Sequence, residues 1–252
     1  MKIMSFNVLC WGREGHFIDE RAPLVCKRIR EQMPDILGTQ ESHKEWMDIL
    51  CNALPEYAFS GVGRDDGKEE GEYSPVFYRK DKFDLLDSGT FWLSETPDVP
   101  SKGWNAACPR VCSYALLKNK ADGKTFAAVN THLDHVSEAA RDNGVRLVVD
   151  KLRTFGDIPV FCTGDFNTDE GSACYRIMTE DFMADAKYVA DDSDSGNTFT
   201  NFDPAATANN SPIDFIFVKK DAVHVQQYRI LRDDIDGQQP SDHYAITADI
   251  TF

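Results

Sequence analysis

The sequence predicts an α/β or α+β fold, with strands dominating and helices between some of them. Short apolar runs recur along a chain that is 42% hydrophobic, and several end in polar clusters. Longer stretches with apolar residues at helical spacing fall between these runs. Neither an internal repeat nor a long linker divides the 252 residues, a length routine for one domain spanning 1–252.

Met1-Lys2-Ile3-Met4-Ser5-Phe6 reads as the first strand and ends at Asn7. Residues 21–33 place Leu24, Val25, Ile29 and Met33 at helical spacing and stop at Pro34. Asp35-Ile36-Leu37-Gly38 is the next apolar run and leads to Gln40-Glu41. Residues 44–54 form a second helix, stopped by Pro55. Val76-Phe77-Tyr78 and residues 83–93 read as strands, and residues 111–117 and 124–131 flank Asn119-Lys120-Ala121-Asp122-Gly123, a hairpin turn signal. The second of that pair ends in Asn130-Thr131-His132. Residues 137–155 make the clearest amphipathic helix, striped by Val145, Val148, Val149 and Leu152. It leads into Pro159-Val160-Phe161-Cys162 and then Gly164-Asp165-Phe166-Asn167. Strands near 213–218, 223–230 and 244–252 complete the chain, with Ser241-Asp242-His243 just before the last.

Polar clusters that recur at strand ends need a shared cause. Strands buried in a layered domain put their carboxyl ends on one edge, where side chains distant in sequence meet at one cleft. The set contains Glu, Asp, Asn and His without Cys, a hard, oxygen-rich field suited to Mg²⁺ or Mn²⁺ better than to structural Zn²⁺. Asp165 and Asn167 flank a Phe after an apolar strand, so period two puts both on one face. Asp214 lies within an apolar strand and needs a partner there; His243 is the expected one, with its tautomer fixed and its charged form stabilised.

The blocks Phe6-Asn7-Val8-Leu9, Gln40-Glu41, Thr131-His132-Leu133, Gly164-Asp165-Phe166-Asn167, Pro212-Ile213-Asp214-Phe215 and Ser241-Asp242-His243 carry a resemblance in their order. The chain resembles the endonuclease/exonuclease/phosphatase superfamily, the DNase-I-like metal-dependent phosphodiesterases and phosphatases. That resemblance implies a four-layer α/β sandwich of two mainly antiparallel sheets with outer helices. It also implies a phosphoester hydrolase that drives water in line onto a mono- or diester. Glu41 is then the main metal ligand, with Asn7 and Asp242 in the metal shell. Asp165 readies the water; Asn167, His132 and His243 meet phosphate oxygens; Asp214 supports His243. DNA-repair members carry an Asp where Leu9 stands, which argues against abasic-site cleavage.

Glu72 and Tyr73, before a strand, and Trp104 and Arg110, in a Gly/Pro-bounded loop, are candidate substrate-binding residues. Arg110 suits bidentate phosphate pairing; its alternative is a surface loop cap. A net charge of −15, from 27 Lys and Arg against 42 Asp and Glu, disfavours duplex DNA and favours a small phosphate ester or a short single strand. No apolar run nears the roughly 20 residues of a membrane span. The N-terminal residues read directly as a strand, so no signal peptide is expected. Seven cysteines without a Cys-x-x-Cys motif read as reduced thiols, so a cytoplasmic location is expected.

Overall fold

The computed structural model describes residues 1–12 and 15–252. Strand β1 (Lys2–Asn7) lies parallel to β2 (Ile36–Gln40), with helix α1 (Ile18–Gln32) as the crossover. The helix starts three residues before the apolar stripe suggests and stops at Met33, whose φ of 45° leaves the helical region ahead of Pro34. Helix α2 (Lys44–Ala53) is capped by His43, and β3 (Tyr57–Ser60) and β4 (Val76–Arg79) follow. Strands β5 (Phe83–Trp92), β6 (Val111–Asn119) and β7 (Thr125–His132) form an antiparallel meander, turning at Gly123 with φ 75°. Helix α3 (Glu138–Thr154), capped by the Ser137 hydroxyl, crosses to β8 (Val160–Asp165), parallel to β7.

Short elements come next: α4 (Ala173–Thr179), β9 (Met183–Asp185), α5 (Ala186–Val189), β10 (Ala190–Ser193) and α6 (Pro204–Thr207). The chain closes with β11 (Asp214–Lys219), β12 (His224–Leu231) and β13 (Ala245–Thr251). Among the described residues the strands form two sheets, β10-β12-β13-β1-β2-β4-β3 and β5-β6-β7-β8-β11-β9. Most pairs are antiparallel; β1–β2, β7–β8 and β10–β12 run parallel.

Period two along each strand builds the layers. Ile3, Ile36, Phe126, Ala128 and Ile216 pack in one cluster between the sheets. Their neighbours Met4 and Leu37 face a second cluster with Val25, Ile29 and Trp46 of α1 and α2, while Ala127, Val129, Phe215 and Phe217 face a third with Val145 and Val148 of α3. The result is the expected helix, sheet, sheet, helix sandwich.

Toward one end the space between the sheets becomes polar. Gln40 donates to Ser5 Oγ (3.1 Å) and Asn130 Oδ1 (2.7 Å), and Thr163 Oγ1 lies 2.9 Å from the same Asn130 oxygen. Gly38 is what lets the sheets approach here: a Cβ there would overlap Thr163 Oγ1 and sit 2.6 Å from Asn130 Oδ1. Gly38→Ala is therefore expected to lower stability by roughly 1–3 kcal/mol, as overpacking does. An unchanged melting temperature would show that the layer yields.

Candidate active site

Strand register assembles the site. His132 pairs with Asp165 across β7–β8, and Asp214 pairs with Asp165 across β8–β11. Directly paired residues share a face, so the three stand in one row. Asp214 starts β11 and His243 precedes β13, as its place in the sequence suggests, and an antiparallel neighbour brings its amino end to the same edge as the carboxyl ends of β7 and β8.

Asn7 is fully buried and joins two carboxylates, donating to Glu41 Oε1 at 3.0 Å and to Asp165 Oδ2 at 2.9 Å. Its own oxygen accepts the Leu9 N–H at 3.0 Å. Asn7 thus ties together Glu41 and Asp165, the two carboxylates around which a metal shell is expected. Glu41 Oε2 accepts the Cys10 N–H at 2.9 Å. Burial alone would raise the Glu41 pKa, but those N–H donors outweigh it and hold the carboxyl below its ordinary 4.5. Glu41 also has φ 61°, a strained backbone for a non-glycine residue.

Asp165 Oδ1 accepts the Asn167 N–H. Burial and the neighbouring Asp214 raise its pKa above the usual carboxylate range, against the pull of His243. His243 Nδ1 lies 2.9 Å from Asp214 Oδ2 and its Nε2 lies 3.7 Å from Asp165 Oδ2. Burial would lower the His243 pKa, but Asp214, Asp165 and Asp242 overcome it and raise it to about 10.

Asn167 Nδ2 donates to the Leu133 carbonyl at 3.1 Å and contacts His132 Nε2 at 2.9 Å. The carbonyl fixes the amide orientation, so His132 Nε2 accepts and its proton sits on Nδ1. Both amide hydrogens of Asn167 are engaged, one on the Leu133 carbonyl and one on His132, while the residue lines the cavity. Burial first, then the charges of Arg110 and Arg64, hold His132 well below 6.5 and neutral.

A cavity of about 330 Å³ opens on this network, lined by Glu41, Asp165, Asn167, His132, Asp242 and His243 and, on its wall, Arg64, Glu72, Cys108, Arg110 and His135. Arg64 Nη1 donates to Glu72 Oε2 at 2.6 Å. Arg110 is buried, with Nη2 2.9 Å from His135 Nδ1, whereas Nε and Nη1 make no hydrogen bond among the described residues. The surface-cap alternative for Arg110 fails on this burial.

Two expected substrate contacts are corrected. Tyr73 bridges to Ser42 as a strand would, so while Glu72 reaches the cavity Tyr73 turns into the core beneath α2, its hydroxyl on the Lys68 carbonyl. Trp104 is not among the cavity lining; its carbonyl holds the Ser137 hydroxyl at the start of α3.

For a metal, the carboxylates of Glu41 and Asp165 offer oxygens within 4.8 Å of each other, which suits a hard divalent cation; His132 lies in the same cluster, but with Nε2 accepting from Asn167 and Nδ1 protonated it has no lone pair to give. Asp242 lines the same cavity but is outside that cluster. Cys108, Asp134 and His135 also converge within 4.8 Å. There, however, Asp134 accepts the N–H groups of Ala107, Val136 and Ser137, and Arg110 leans on both Asp134 and His135, so a guanidinium already fills the corner.

Sequence reasoning missed Arg64 and His135. His135 is legible as the third residue after His132; Arg64 lies in an irregular loop without a strand to phase it.

The model of the Endonuclease/Exonuclease/phosphatase family matches residues 4–243. The structure of the mannosyl-6-phosphatase of Bacteroides thetaiotaomicron VPI-5482 is 37% identical, with 100% of each chain covered and a TM-score of 0.94. An endonuclease/exonuclease/phosphatase from Bacteroides vulgatus is 39% identical over 100% of this chain and 98% of that one, TM-score 0.94. The human Nocturnin catalytic domain with bound sulfate, at 20% identity, shares the fold over 100% of this chain and 93% of its own, TM-score 0.80. Matched from its first strand to His243, this chain belongs to the endonuclease/exonuclease/phosphatase family, whose members hydrolyse phosphoester bonds.

Proposed function

We propose that the protein is a divalent-metal-dependent phosphatase that hydrolyses small phosphate monoesters by in-line attack of water. The observation that carries this reading is Arg110, buried at the wall of a cavity of about 330 Å³ that also holds Glu41, Asp165, His132 and His243; its Nε faces Asp134 at 3.7 Å and its Nη1 makes no hydrogen bond among the described residues. A terminal phosphate carries two charges and one arm, which suits a guanidinium at the wall of a small cavity. A diester carries one charge and must lead two arms out. The likeness to a mannosyl-6-phosphatase supports the same reading.

Mg²⁺, or Mn²⁺ in its place, would be held by Glu41 with Asp242 nearby, and when bound it neutralises charge on the phosphate. Asp165, with its raised pKa, takes the proton of the attacking water, since a base works best near the working pH. His243, kept protonated by Asp214, donates from Nε2 to an oxygen gaining charge. Neutral His132 offers Nδ1–H, and Arg110 grips the dianion. The seven cysteines are unbridged, which supports a reducing compartment such as the cytoplasm.

The test is kcat/KM with Mg²⁺ or Mn²⁺ across small monoesters, diesters, short single strands and a long duplex at one ionic strength. Monoesters are expected to lead, and Arg110→Ala to reduce kcat/KM on them roughly 10- to 100-fold, the value of charged hydrogen bonds. If single strands led, or Arg110→Ala changed nothing, the nuclease reading would replace this one.

A further inference from the structure

A second groove, of about 500 Å³, adjoins the site. Arg64 and Glu72 line both cavities, so the groove begins where the catalytic wall ends. Its other lining includes Trp11, His43, Lys44 and a rim in which the carboxylates Glu45, Asp65, Glu69 and Glu70 outnumber the cations.

Three features of the groove point to one ligand chemistry. Trp11 is 68% exposed, although a Trp ring is among the most favourable groups to bury, and it stands edge-on to His43 with centroids 4.6 Å apart. His43 is only 8% exposed, and its Nδ1 accepts the Trp46 N–H at the start of α2. With Nδ1 accepting, the ring carries its N–H on Nε2, a buried donor without a hydrogen-bond partner among the described residues. The carboxylates of the rim accept hydrogen bonds from hydroxyls and repel further phosphates.

We propose that this groove is the leaving-group subsite and takes a neutral sugar, so that the preferred esters are sugar phosphates. The apolar face of a pyranose lies on Trp11, one of its oxygens takes the His43 Nε2–H, and its hydroxyls donate to the acidic rim. A nucleic-acid strand would offer the same ring a base but would carry its next phosphate past Asp65 and Glu69. The inference rests on the phosphatase reading for the word leaving-group and on the groove alone for the word sugar.

The test has a kinetic arm and a binding arm. Trp11→Ala is expected to reduce the preference for hexose 6-phosphate over ethyl phosphate about tenfold, mainly through KM, because binding remote from the reacting atoms is what the ring supplies. His43→Asn, which keeps an oxygen for the α2 cap and removes the ring N–H, should act in the same direction. In the second arm, methyl mannoside alone should shift the tryptophan emission of the wild type and not that of Trp11→Phe. Equal losses on both esters would overturn the proposal, as would a larger loss on nucleoside 5′-monophosphates, or emission indifferent to the sugar in an enzyme that hydrolyses ethyl phosphate. Sugar-dependent emission in a protein that hydrolyses no phosphate ester would uphold the sugar site and sink the phosphatase reading.

Discussion

His243→Ala is expected to lower kcat roughly 10³-fold, and adding Asp214→Asn to it should cost little more. The two side chains are buried and 2.9 Å apart, and Asp214 Oδ1 makes no hydrogen bond among the described residues. Its carboxylate acts on the chemistry first through the imidazole, by holding the proton and aiming Nε2 at the cavity, while its charge also raises the pKa of Asp165. Groups that work as one unit are non-additive in a double-mutant cycle. Strictly additive losses would show separate roles. Stability supplies an independent readout. Asp214 and its neighbours raise the His243 pKa from 6.5 to about 10, so the stabilisation from the charged pair is complete below about 6.5 and is lost as pH rises through about 10. In Asp214→Asn the alkaline loss of melting temperature should begin at lower pH; an unchanged profile would show that another group holds the proton.

How much of this site can be read from sequence follows from what the backbone fixes. Asp165, His132 and Asp214 sit on long apolar strands with period two, and their phase alone puts them on one face. The strands missed are those where the pattern has no room: β3, β9 and β10 have three or four residues, and the short helices α5 and α6 four each. Trp11, His43 and Arg64 lie between elements, and which way such residues face is decided by packing. His43 illustrates the limit: its sequence position suits a helix cap, and the cap exists, yet the unpartnered nitrogen on its far side is visible only in three dimensions. Tyr73 and Glu72 are adjacent in sequence, and a single bridge between Tyr73 and Ser42 sends one to the core and the other to the cavity.

Glu41→Gln is expected to weaken Mg²⁺ binding at least about 100-fold, since even residues that only support a metal ligand cost 10- to 100-fold when changed. The substitution keeps the shape of the side chain and removes its charge. It also sets an amide NH₂ against either the Cys10 N–H or the Asn7 Nδ2, both donors, so one contact that now fixes Glu41 becomes repulsive. With φ 61° the Glu41 backbone depends on those contacts to hold a conformation most residues avoid. Calorimetric titration with Mg²⁺ measures the affinity directly. Thermal unfolding measures it again: Mg²⁺ at 100 times its dissociation constant should stabilise the wild type by about 2.7 kcal/mol, while Glu41→Gln should gain almost nothing at the same concentration. If the variant bound Mg²⁺ as tightly and rose as far in melting temperature, the metal would have to be held without Glu41, and Asp165 and Asp242 would become the residues to replace next.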